Sequence, residues 1–176
     1  MTDRILPPEI DFDGPFPRLC RRLRLGVVGG GRIAGTQAMA ARMSDRWDVV
    51  AGALSSDPAK AGVRASEWYI PPERSYASFD EMAQAEAGRA DGDDAVMITT
   101  PTNTPHPAAM ASLDAGIDVL CDKPLTNEIA EAEALVTRTA ETDCVFGVSY
   151  VMSCYPMIRQ AREIVASGGL GRINQI

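Results

Sequence analysis

The chain has 176 residues, 45% of them apolar, enough for one well-packed domain or for one domain plus part of another. A formal charge of -7, with no basic run longer than Arg21-Arg22, excludes the electrostatic footprint of a nucleic-acid or anionic-membrane binder and leaves small neutral or phosphorylated ligands. The single histidine, His106, excludes an H-E-x-x-H zinc site, and no apolar stretch approaches the roughly 18 to 20 residues that span a bilayer.

In chain order, residues 1 to 22, with prolines at 7, 8, 15 and 17, follow neither a helical nor a strand period and read as an extended arm. Short β-branched runs then alternate with amphipathic segments. The pattern predicts a strand over 24–29, a helix over 32–44, a strand over 48–54 and a helix over 57–66. An extended piece at 74–77 and a helix at 79–87 follow, then a strand at 94–99, a helix at 106–116, a strand at 117–121, a helix at 126–142 opened by Thr126, and a strand at 144–149. A last helical period runs over 155–169, and "LGRINQI" reads as a strand just beginning. This alternation is the βαβ rhythm of a doubly wound, mostly parallel sheet covered on both faces. Asp57-Pro58 supplies a helix cap followed by proline in the first turn, and Gly116 stands where a helix would end.

Cys20, Cys121, Cys144 and Cys154 are widely spaced with no C-x-x-C pair, a pattern that suits reduced thiols, with Cys121 and Cys144 as small core residues. With no charged-then-apolar leader at the start, the expectation is a soluble, cytoplasmic protein.

The first strand runs into "GVVGGGRIAG", where Gly29, Gly31 and Ala34 fit the G-x-G-x-x-G/A dinucleotide fingerprint at a strand-to-helix turn. Gly29 permits the tight turn, Gly31 lets the backbone approach a pyrophosphate, and Ala34 lets the helix pack close, with Arg32 and Ile33 at the helix start. About twenty residues on, where such folds meet the adenosine ribose, the second strand ends at Ser55-Ser56-Asp57. Serines hydrogen-bond a 2′-phosphate that an acid would repel, and Arg32 is within reach, so NADP is slightly preferred over NAD. Asp57 is either a ribose contact or only a helix cap.

The strand "AVMITT" delivers Thr100, Pro101, Thr102, Asn103 and Thr104 to the carboxyl edge, where open α/β sheets bind ligands; these are nicotinamide-ribose contacts or an ordinary turn with hydroxyl caps. The next strand delivers Cys121-Asp122-Lys123-Pro124 to the same edge. Of seventeen basic residues only Lys60 and Lys123 are lysine, so a lysine at this edge is a candidate for proton transfer. The alternative is a salt bridge to Asp122. Pro124 fixes the turn, through a cis bond if the geometry requires it.

With these motifs in order, residues 22 to 176 resemble the Gfo/Idh/MocA family of glucose-fructose oxidoreductase and inositol dehydrogenase. "GVVGGGRIAG" is similar to its glycine loop, "ITTPTNTPHPAAMASLDAGIDVLCDKPLT" to its T-P-N loop and E-K-P motif, and "YPMIRQAREIVASGGLGRI" to the helix and strand that open its second domain. The resemblance implies an NAD(P)-binding Rossmann domain over 23–150 and, over 151–176, the start of an α/β substrate domain whose sheet also makes homo-oligomer contacts. It implies hydride transfer to or from a sugar, inositol or related polyol. Lys123 would manage the hydroxyl proton, and Asp122, in place of the family's glutamate, would keep the charge but not the reach. Two features depart from the pattern. Pro105 stands where the family has histidine, displacing His106 by one. The D-x-x-x-H motif of the second domain has no counterpart, which reads as a truncated member, able to bind cofactor but turning over polyols poorly; a non-catalytic dinucleotide-binding module is the rival reading.

Overall fold

The structure is a computed structural model, and it describes residues 21–101 and 104–175. The arm expected over 1–22 lies almost wholly outside the described residues, as do Cys20, Thr102 and Asn103.

Five parallel strands, β1 (Leu23–Val28), β2 (Trp47–Ala53), β3 (Ala95–Ile98), β4 (Asp118–Asp122) and β5 (Phe146–Ser149), form one sheet in the order β2-β1-β3-β4-β5. The expected doubly wound parallel sheet is therefore present. Period-two alternation sends Leu25 and Val27 to one face and Val28 to the other, and β3 is buried along its whole length. Ala34 and Ala38 of α1 (Arg32–Met43) and Ala65 of α2 (Pro58–Glu67) cover the first face. The second is covered by Met82 of α3 (Phe79–Ala87), Ala108, Ala109 and Leu113 of α4 (Pro105–Asp114), and Leu135 of α5 (Ile129–Glu141). Alanine at the contacts lets the helix backbones approach the sheet closely, which sets where the helix N-termini stand at its carboxyl edge.

Local chemistry explains most boundaries. The Asp57 carboxylate accepts from the Ala59 and Lys60 N–H groups and so caps α2. Gly116, with φ of 75°, follows α4 in the left-handed conformation that ends a helix. Four expectations change. The piece at 74–77 is a 3₁₀ turn over Pro72–Arg74 followed by one parallel bridge, Gly52 to Ser75. The helix expected from Thr126 starts only at Ile129, because the Thr126 hydroxyl donates to the Glu128 carbonyl and holds a turn. The helical period at 155–169 is shortened to α7 (Pro156–Ala166), and an unexpected helix, α6 (Val151–Cys154), precedes it, the two kept apart because Pro156 holds Tyr155 extended. Among the described residues, 170–175 form no strand.

At the opposite, amino edge of β3, Arg74, Glu86 and Asp93 are buried together. The Arg74 guanidinium hydrogen-bonds both Glu86 oxygens, and the Tyr76 hydroxyl donates to Glu86 Oε1 at 2.7 Å.

Candidate functional site

The glycine turn links β1 to α1. Gly29 has φ of 101°, and its N–H donates to the Ala53 carbonyl at 2.9 Å, which closes the turn against the end of β2. At Gly30 an added Cβ would stand 2.4 Å from the Leu54 carbonyl oxygen, so the backbone there is pressed against the β2 end. Gly31 is different: it is the N-cap of α1, no side chain caps that helix, and nothing lies within 4 Å of the place a Cβ would take. The unpaired N–H groups of the first helical turn, around exposed Arg32 and Ile33, thus face open space, the arrangement that accepts a pyrophosphate.

A cavity of about 550 Å³ adjoins this turn, lined among others by Gly30, Gly31, Leu54, Ser55, Lys60 and Arg64. Ser55 Oγ accepts from the Asp57 N–H at 3.1 Å, and Ser56 is exposed. The Asp57 carboxylate is turned away to cap α2, with Lys60 Nζ at 3.7 Å. Arg64 pairs with Glu67 at 2.7 Å and lies over the Trp68 ring. A slightly larger cavity, about 570 Å³, lies between α2 and the 3₁₀ turn, lined by Ala61, Ala65, Tyr69 and Tyr76, and no residue of the glycine turn borders it.

The end of β3 meets the end of β1, since Thr99 donates to the Val28 carbonyl from its N–H at 2.9 Å and from its hydroxyl at 3.3 Å. Beyond it, the Thr100 hydroxyl oxygen is buried with no hydrogen-bond partner, a group that a polar ligand at this edge would satisfy. Pro101 is exposed. His106 stands in the first turn of α4, its Nε2 buried without a partner and its Nδ1 4.0 Å from Glu131 of α5.

Lys123 follows β4 at the same edge, exposed, with a cis bond to Pro124. Asp122 Oδ1 accepts from the Lys123 backbone N–H at 3.0 Å and from the Ser149 hydroxyl at 3.1 Å. Oδ1 is thus taken by a backbone and a hydroxyl donor, and among the described residues Lys123 forms no salt bridge with the carboxylate. Cys121, one residue earlier, is buried, and burial together with the neighbouring Asp122 charge pushes its thiol up to about 12, so it serves as core and not as a nucleophile.

One edge therefore gathers Gly29, Gly31, Arg32, Ile33, Thr100, Asp122 and Lys123, with Ser55 and Ser56 at its β2 end. Sequence reasoning overlooked Gly30, Lys60, Arg64, Gln37 and Ser149. Ser149 was open to discovery, since it closes a strand at the carboxyl edge, and Arg64 lies one turn after the only other lysine. Among the described residues no group of three or more His, Cys, Asp or Glu could hold a metal ion, and no helix is long and apolar enough to cross a membrane.

The model of the GFO_IDH_MocA family, described as an oxidoreductase family with an NAD-binding Rossmann fold, matches residues 23–150. The chain belongs to this family. An oxidoreductase from Sinorhizobium meliloti has a similar structure, with 44% sequence identity and a TM-score of 0.80, covering 86% of this chain and 43% of that one. An inositol dehydrogenase homolog from Azotobacter vinelandii, solved with NADH and myo-inositol, superposes with a TM-score of 0.83 at 33% identity, over 88% of this chain and 41% of that one. The D-xylose 1-dehydrogenase [NADP(+)] of Haloarcula marismortui is 30% identical over 152 residues, 85% of this chain and 40% of its own. The chain thus spans less than half the length of the relatives it matches.

Proposed function

We propose that this chain is the cofactor-binding part of an NAD(P)-dependent oxidoreductase that acts on a CH–OH group of a sugar, inositol or related polyol. Residues 23–150 form the dinucleotide domain in this reading, and 151–176 open the substrate domain. The observation that carries it is the convergence on one sheet edge of an uncapped helix N-terminus, a buried hydroxyl without a partner, and a lysine not paired with its neighbouring acid.

Gly29, Gly30 and Gly31 shape the pyrophosphate seat, with the N–H groups of Arg32 and Ile33 as donors, while Thr100 and Pro101 border the nicotinamide ribose. When bound, the nicotinamide accepts or returns the hydride. In the oxidation direction the neutral Lys123 amine takes the hydroxyl proton as the carbon gives up hydride and the carbonyl forms; in reduction the ammonium returns it. Asp122 contributes negative charge beside this group.

NADPH is the proposed better ligand, or at least the equal of NADH. Ser55, Lys60 and Arg64 line the cavity beside Gly31, and Asp57 spends its carboxylate on the helix cap. For the assembly we propose a homo-oligomer, supported by exposed Met157, Ile158, Ile164 and Val165 on α7. Titration with NADH and NADPH, followed by nicotinamide fluorescence, tests the reading: saturation is expected, and Gly31→Trp should abolish it. Saturable binding untouched by that substitution would place the cofactor elsewhere.

A further inference from the structure

We infer that Ser149 is a positioning residue for Lys123, acting through Asp122 and held in turn by Gln37 of α1. The inference rests on the proposed role of Lys123. It begins with register: β4 and β5 are parallel, and Asp122 pairs directly with Ser149 at the last rung of the ladder. In-register neighbours project to the same face, so a hydroxyl meets a carboxylate at 3.1 Å where both strands end.

Asp122 Oδ1 receives two donors, the Ser149 hydroxyl and the Lys123 backbone N–H at 3.0 Å. The second bond closes a small ring between adjacent residues, so the rotamer of Asp122 sets the direction in which the chain leaves β4 at Lys123. Ser149 fixes that rotamer. Its hydroxyl has one proton to give and lone pairs to spare: the proton goes to Asp122, and a lone pair accepts from Gln37 Nε2 at 3.5 Å. Donation thus runs in one direction, from Gln37 to Ser149 to the carboxylate, and ends on a full charge, which strengthens the final bond. Gln37 stands in the middle of α1, the helix whose N-terminus opens at Gly31, so the same helix that faces the cofactor seat also supports the lysine turn. A hydroxyl that merely closed a strand would meet neither partner.

The two lysines make this testable without turnover. In the 176-residue chain labelled with ¹⁵N-lysine, two backbone amide signals appear, assigned with Lys60→Arg. Ser149→Ala should shift and broaden the Lys123 signal and speed its hydrogen exchange by about tenfold, the loss of one hydrogen bond to a charged group. Ser149→Thr, which keeps the hydroxyl, should restore it, Gln37→Ala should move it the same way by less, and Lys60 should stay still in all three. A Lys123 signal unmoved by Ser149→Ala overturns the inference. Should Ser149→Ala unfold the chain, seen as movement of Lys60, Gln37→Ala decides by the same criterion. Turnover of polyols by the chain extended with a family-type second domain, if unchanged by Lys123→Met, would refute the proton-transfer role alone and leave the amide result standing, so the two readings fail separately.

Discussion

Asp93 lies 3.5 Å from the Arg74 guanidinium, yet neither oxygen of its carboxylate receives a hydrogen bond. Arg74 is turned to Glu86 and to the Asp91 carbonyl. Burial, reinforced by the Glu86 charge, outweighs the attraction of Arg74 and pushes Asp93 up to about 8, from an ordinary value of 3.8. Between those values the folded chain holds a proton that the unfolded chain has released. Stability therefore falls as pH rises from about 4 to 8 and levels off above. Asp93→Asn should flatten this slope, gaining about 1 to 3 kcal/mol at pH 9 and little at pH 4 in urea melts. A parallel slope in the variant would assign it to another group.

Glu86 holds the centre of the same cluster, accepting from Arg74 and from the Tyr76 hydroxyl. Glu86→Gln leaves Arg74 with a neutral partner in a buried site and should cost about 3 to 5 kcal/mol by denaturant unfolding. Tyr76→Phe removes one donor only and should cost about 1 kcal/mol. Equal losses would show that the ion pair contributes nothing beyond a neutral hydrogen bond.

Neighbouring glycines should separate folding from binding. Gly30→Ala drives a methyl into the Leu54 carbonyl and is expected to lower stability by about 1 to 3 kcal/mol. Gly31→Ala projects into open space, should leave the melting temperature unchanged, and should weaken dinucleotide binding. The two are told apart by calorimetry beside cofactor titration, and a destabilised Gly31→Ala would contradict the open seat.

Lys60→Met and Arg64→Met should each weaken NADPH binding by about tenfold, the scale of one charge-assisted hydrogen bond, while NADH changes little. Equal losses for both cofactors would mean that these cations act on a group the two share.

Self-association should depend on α7. Sedimentation velocity across a concentration series is expected to show association that Ile158→Asp with Ile164→Asp abolishes, since both side chains are exposed on that helix. Association that persists in the double variant would locate the contact on another surface.

The sheet, its element order and the edge that carries the site were legible because each rests on local patterning: period-two runs, the glycine turn, the Asp57 cap. What escaped depends on contacts distant in sequence. Ser149 meets Asp122 across 27 residues and Gln37 across 112, and nothing local in either stretch signals the pairing. Lys60 and Arg64 gain meaning only when α2 is placed beside Gly31, where both line the same cavity. Thr126 misled for the opposite reason, because its hydroxyl found a nearer acceptor than a helix cap would offer. The buried Arg74, Glu86 and Asp93 were not legible either, since no pattern of spacing announces a charge turned inward.

The strand order β2-β1-β3-β4-β5 also governs how the chain assembles. β1 can pair with β2 once the β-α-β stretch over 23–53 has left the ribosome, but its other edge waits for Ala95–Ile98. Until then β1, an interior strand of the finished sheet, is an outer one, its backbone N–H and C=O groups over Leu25–Val28 unpaired on the side that β3 will occupy. That interval is when the nascent protein is most open to mispairing, and β3, short and wholly apolar, is the segment whose arrival ends it.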